Sequence, residues 1–213
     1  MLLVLGLFPA CGKGSNLPKF AEPTGRTVDP NSLADGDRIA YRELTPKDFL
    51  ATAPPPEMKK YAERMGAVTC AHVFTEPDPQ YYIEQTAEGF HGAYNRLNFV
   101  ARMDRSCSWW NPKKSHVPEQ YILQHEQIHF ALAESAARRL NVRAQEIVAE
   151  LHPSGKTQNS VEKVLTGTVE EMMEKAMKDL MDRNLKFDQD TSNTYAPEKQ
   201  QEWFETVMSE LGR

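Results

Sequence analysis

The chain has 213 residues, a formal net charge of -5 and 26% charged residues, with a mean hydropathy of -0.60. This length accommodates one domain with a real core, with or without an appendage. The charged fraction and the negative hydropathy exclude a polytopic membrane protein, and no basic block marks a nucleic-acid surface.

Residues 1–8 are almost wholly apolar, and Pro9, Ala10, Cys11 and Gly12 follow. A short apolar stretch ending in a small residue before Cys resembles a bacterial lipoprotein signal, with Cys11 as the lipidated residue, although no Lys or Arg precedes it. Residues 12–38 carry Gly, Ser, Asn, Pro and charges without periodicity and read as a tether. The domain proper is then 39–213. On this reading the protein is exported, and is either periplasmic or held at a membrane through lipid on Cys11. Cys70 and Cys107 would share an oxidising compartment, where a disulfide between them is expected. Neither lies in a C-x-x-C pair of the kind that ligates zinc.

Residues 39–50 read as a short strand followed by a proline-initiated turn of helix. Residues 54–56 are a rigid proline spacer, and 58–65 read as a short helix ending at Gly66. Residues 67–74 have β-branched and alternating character and read as a strand. Residues 76–80, with two prolines, form a turn, and 80–89 fit neither period. Residues 96–103 give a clearer strand, with Leu97, Phe99, Ala101 and Met103 on one side and Asn98 and Arg102 on the other. A loop follows with Cys107, Trp109 and Trp110. The tryptophans suit packing better than a substrate cleft.

From Glu119 to Leu140 no Gly or Pro interrupts the chain, and Tyr121, Ile122, Leu123, Ile128, Leu132 and Leu140 supply apolar positions. Pro118 and Glu119 suit a first helical turn, with Ser115 as a candidate cap. The pattern stays helical to residue 151, as one helix or as two joined near Asn141. His152, Pro153, Ser154 and Gly155 end it. Residues 160–184 read as a second long helix, 185–197 as a polar connection and 198–211 as a last helix. Strands come first and helices later, which is the α+β pattern of a small sheet packed on helices.

The first of these helices contains His125-Glu126-Gln127-Ile128-His129, H-E-x-x-H. Residues four apart on a helix project from nearly the same side, so two imidazoles there can hold one zinc ion. Glu126 stands beside such an ion, where it can take a proton from activated water. A catalytic zinc site needs a third protein ligand. Glu134 is poorly placed: nine residues past His125 is a rotation of about 900°, the opposite side of a continuous helix. It reads as a support near the sheet or as a surface acid. Glu170 and Glu171 on the second long helix, and Asp188 and Asp190 in the connection after it, remain as candidates. Tyr195 and His116 are candidates for a second donor to the reacting carbonyl, and the upstream strand could receive an extended peptide at the sheet edge.

Four blocks of sequence carry a resemblance. They are Arg42-Glu43-Leu44-Thr45 with Asp48-Phe49, the proline spacer and Ala67-Val68-Thr69; Ser108-Trp109; His125-Glu126-Gln127-Ile128-His129-Phe130 with Glu134, Ala137 and Arg138; and Phe187-Asp188 with Thr191, then Gln200-Gln201 and Trp203. In these blocks the chain, from about residue 41 to 211, resembles a bacterial family of secreted zinc-dependent proteases catalogued as a domain of unknown function, number 922. The resemblance implies a zincin-like fold, Zn2+ as the cofactor, a peptide or protein substrate, and Asp188 as the third ligand with His125 and His129. It implies metal-assisted hydrolysis with Glu126 as the general base. The family shows Thr-x-His-Gly where Thr191-Ser192-Asn193-Thr194 stands here. Asn193 therefore keeps open a second reading, a non-catalytic envelope lipoprotein of zincin fold that binds metal or a protein partner. A third reading, a helical interaction protein with an accidental motif, predicts no bound metal.

Overall fold

The computed structural model describes residues 36–114, 117–192 and 195–212. Cys11 and the segment around it, Ser115, His116, Asn193 and Thr194 lie outside the described residues.

Among the described residues, eight short strands and three long helices make a mixed α+β fold. The strands are β1 (Arg38–Ala40), β2 (Ala67–Val68), β3 (Ala71–Thr75), β4 (Gln80–Thr86), β5 (Gly89–Arg96), β6 (Phe99–Asp104), β7 (Trp109–Trp110) and β8 (Ser154–Gly155). The helices are α1 (Glu119–Glu150), α2 (Gln158–Thr191) and α3 (Pro197–Leu211). Three small antiparallel sheets result, in the orders β1-β6-β3, β2-β7 and β4-β5-β8. A 3-10 turn at Pro46–Asp48 follows β1, in line with the proline-initiated turn expected there. Another covers Pro56–Tyr61, two residues earlier than the expected short helix.

The strand expected over 67–74 is two strands in different sheets. Ala67–Val68 pairs with Trp109–Trp110, and Ala71–Thr75 pairs with β6. The interruption falls at Cys70, which is joined to Cys107 by a disulfide with a Cα–Cα distance of 5.8 Å. The expected pairing of these two cysteines is therefore present. Trp109 is buried, and the Trp110 ring sits 5.2 Å from that of Phe49, so both tryptophans pack. The strand expected over 96–103 begins only at Phe99. Asn98 ahead of it donates its side-chain amide to Glu76 O. Arg102 faces away from Phe99, Ala101 and Met103 as alternation requires, yet it is buried, because the Glu76 carboxylate receives its guanidinium. Residues 80–89, which fitted neither period, form the first half of the β4–β5 hairpin. In β5 a side chain at Gly92 would lie 2.7 Å from Val161 and 3.0 Å from Leu165, so glycine lets the strand lie close against α2.

Helix α1 is the centre of the molecule. It packs on β6 and β3 on one side and on α2 and α3 on the other. Almost every residue from Gln124 to Ala137 is buried as a result. Ala131, Ala133, Ala136 and Ala137 allow neighbours to approach from several directions, as a helix covered all round requires. The helix does not break at Asn141. The Asn141 side chain accepts from Phe99 N at 2.7 Å and donates to Phe99 O at 2.8 Å, pinning the start of β6 to the helix.

The second helix is longer than its periodicity suggested. It runs on through 185–191 and is capped by Ser192. Residues 185–192 contain no Gly or Pro, and within them Phe187 is fully buried. That one anchored aromatic holds two further turns in place.

Candidate metal centre

His125 and His129 stand one turn apart on α1, and Asp188 reaches them from the last two turns of α2. Their donor atoms form a nearly equilateral triangle. His125 Nε2 lies 3.1 Å from His129 Nε2, and Asp188 Oδ1 lies 3.2 Å from each. The three residues form the one group of His, Cys, Asp or Glu found among the described residues that could hold a metal ion. The histidine side chains are 11% and 15% exposed and that of Asp188 is 43% exposed, so the triangle opens toward solvent on the aspartate side.

The other faces of both rings are already committed. His129 Nδ1 lies 2.6 Å from Asn184 Oδ1, while Asn184 Nδ2 donates to Leu180 O at 2.9 Å. With the amide oriented this way its oxygen can only accept, which assigns the proton to His129 Nδ1. His125 Nδ1 lies 3.3 Å from Thr191 Oγ1, whose hydroxyl donates to Phe187 O at 2.6 Å. Thr191 is thereby left to accept, which assigns the proton to His125 Nδ1 as well. Both Nε2 lone pairs then converge on one point beside a carboxylate oxygen. The Phe187 ring stacks on His125 at 4.4 Å and 24°, and meets His129 edge-on at 4.9 Å.

Three electron-rich atoms this close require a positive charge between them. Zinc bound at about 2.0–2.1 Å to tetrahedral ligands sets them about 3.3–3.4 Å apart, and the observed 3.1–3.2 Å fits that spacing. Without a metal, a proton does the same work. Burial opposes charge on His129, but the Asp188 hydrogen bond and charge, then Glu126, outweigh it and raise His129 to about 9. Burial likewise opposes ionisation of Asp188, and its bonds to His125 and His129 hold it well below the ordinary carboxylate range.

Glu126 is buried on α1, and its Oε2 has no hydrogen-bond partner among the described residues. A buried carboxylate oxygen without a donor is costly unless something from outside the fold satisfies it.

The remaining candidates fall away from this triangle. Asp190 is occupied by Lys186 Nζ at 2.6 Å and Trp203 Nε1 at 3.1 Å. Glu170 and Glu171 are exposed on α2, and 17 or more residues before Asp188 is about 26 Å along a helix. Glu134 is no surface acid. It is fully buried and receives Arg138 Nε at 3.1 Å, and after burial its charge is the largest influence raising the Tyr41 phenol above its ordinary value. Tyr195 is exposed and packs edge-on against Tyr121 at 5.0 Å.

The roles of several supporting residues went unread in the sequence. Gln127, fully buried within the motif, accepts from Leu44 N at 2.6 Å and donates to Arg42 O at 3.1 Å. Gln200 on α3 donates to Tyr121 O and to Gln124 Oε1. Asn184 and Thr191 hold the two rings, and both stand in helical register with Asp188. Their spacing would have been informative had the helix been carried past residue 184. The chain matches no family model, no curated protein and no solved structure.

Proposed function

We propose that the protein is an exported zinc-dependent hydrolase of zincin-like architecture, a metallopeptidase, with His125, His129 and Asp188 as the metal ligands. The observation that carries this reading is the triangle of two outward Nε2 lone pairs and one carboxylate oxygen at 3.1–3.2 Å. The Cys70–Cys107 disulfide supports an oxidising compartment.

Bound zinc would supply a Lewis acid that polarises a carbonyl and lowers the pKa of water toward neutrality. Glu126 takes the proton from the attacking water and returns it to the leaving amine. Its unpartnered Oε2 leaves room for that bond. Asn184 and Thr191 keep both rings in the tautomer that presents Nε2. Met181 and Leu185 are 71% and 58% exposed, and they precede Asp188 by seven and three residues on the same stripe of α2. They give an apolar approach to the triangle, which suits a substrate with an apolar side chain near the cleaved bond.

Metal analysis of the purified chain, together with a peptide-library assay of wild type and Glu126→Gln, tests this. Zinc should be retained in both, and cleavage should fall about 10²–10⁴-fold in the variant. Equal cleavage removes the role given to Glu126. Absence of metal removes the centre itself. Metal without cleavage by wild type favours the second reading, a metal-binding envelope lipoprotein, to which the Asn193 substitution points.

A further inference from the structure

The residue that caps α2 adds a fourth atom to the triangle. Ser192 caps the helix, and its N–H donates to Asp188 O at 2.8 Å. Four residues after Asp188, its side chain projects from the same side of the helix. Ser192 Oγ lies 3.1 Å from Asp188 Oδ1 and 3.4 Å from His125 Nε2. With the three edges already given, five edges among these four atoms measure 3.1–3.4 Å. Four ligands around a tetrahedral zinc ion are about 3.3–3.4 Å apart.

We infer that Ser192 Oγ is a fourth, displaceable donor to the ion held by His125, His129 and Asp188. The inference rests on the zinc reading above. Ser192 Oγ is within hydrogen-bond distance of both Asp188 Oδ1 and His125 Nε2, and its single hydroxyl proton can satisfy only one of them. A cation in the middle resolves that arrangement by taking the oxygen lone pair. A neutral hydroxyl binds zinc more weakly than imidazole or carboxylate. It therefore closes the position that a catalytic site reserves for water, and it yields that position to water when the site is engaged. Ser192 is exposed, at the end of its helix, where a rotamer change suffices to open the position.

The test uses the full chain loaded with Co2+. Ser192→Cys places a thiol where the hydroxyl was, and a thiolate bound to Co2+ gives an intense near-ultraviolet charge-transfer band. The band should appear in Ser192→Cys and be absent from wild type and from Gln189→Cys, an exposed control on the same turn. Ser192→Ala should bind Zn2+ about tenfold more weakly in a chelator competition. If wild type binds Co2+ but Ser192→Cys shows no band, Ser192 only braces Asp188 and the inference is overturned alone. If wild type takes up no Co2+, the zinc reading falls and this inference with it.

Discussion

Asn184→Leu is the most direct test of whether the two imidazoles are built as ligands. The His129 ring has two neutral tautomers, and only the one with its proton on Nδ1 presents an Nε2 lone pair to the triangle. The amide oxygen at 2.6 Å selects it, and the amide nitrogen, held by Leu180 O, keeps the oxygen in place. Leucine removes that acceptor at similar volume, leaving a buried N–H unpaired at a cost of about 1–3 kcal/mol in the ligating tautomer. At 1.4 kcal/mol per factor of ten, zinc affinity should fall about 5- to 150-fold, in the range found when outer partners of ligating histidines are removed. Asn184→Asp restores an acceptor and should recover affinity. Competition titration with a chelator reads both constants, and thermal melts of the metal-free proteins check that the fold persists. Zinc bound equally by wild type and Asn184→Leu would refute the tautomer argument, as would equal loss in the Leu and Asp variants.

Two further outcomes follow from the same geometry. His129 in the metal-free protein is raised above the unfolded value of 6.5 to about 9, so its contribution is fully present below about pH 6.5 and is lost as pH rises through about 9, at most about 3 kcal/mol. Urea unfolding of the metal-free chain should show that decline. Zinc, which competes with the proton, should instead bind more tightly over the same range, and an unchanged metal-free stability from pH 6 to 10 would contradict the shared proton. Phe187→Ala removes a fully buried ring in contact with His125, His129 and Trp203. It should destabilise the chain by about 3–5 kcal/mol in urea titration, and a loss under about 1 kcal/mol would show that the ring is not the anchor of the last turns of α2.

The parts of the fold that were legible are those where a local period coincides with burial. An unbroken run with apolar positions and no Gly or Pro gave α1, and a similar run gave α3. The end of α2 failed this criterion because Lys186, Gln189 and Asp190 face solvent or one another, and past Leu180 the one buried apolar residue is Phe187. Helical continuity there comes from tertiary anchoring, which no window of sequence reports. Strand β5 was invisible for a related reason. Its sequence, GFHGAYNR, has neither alternation nor a β-branched run, and it is held by β4 on one side and by α2 packing over Gly92. Arg102 shows the limit of alternation itself. The period predicts the side to which a residue points, while its burial depends on Glu76, twenty-six residues earlier and beyond a turn.

The site shows the same division. The two histidines and Glu126 are a local signal on one helix. Asp188 came from resemblance to a family, and from spacing alone it was one of several acids. What singles it out physically is the assembly of three helices. Helix α3 touches both of the others: Gln200 binds the Tyr121 carbonyl, one turn before His125, and the side chain of Gln124 next to it; Trp203 packs on Phe187 and binds Asp190; and Glu210 receives Arg183 of α2 together with Ser135 and Arg139 of α1. Two helices gripped on either side of the triangle hold their facing side chains to the spacing that ligation demands. The braced arrangement keeps three donor atoms at a spacing that could hold a metal ion.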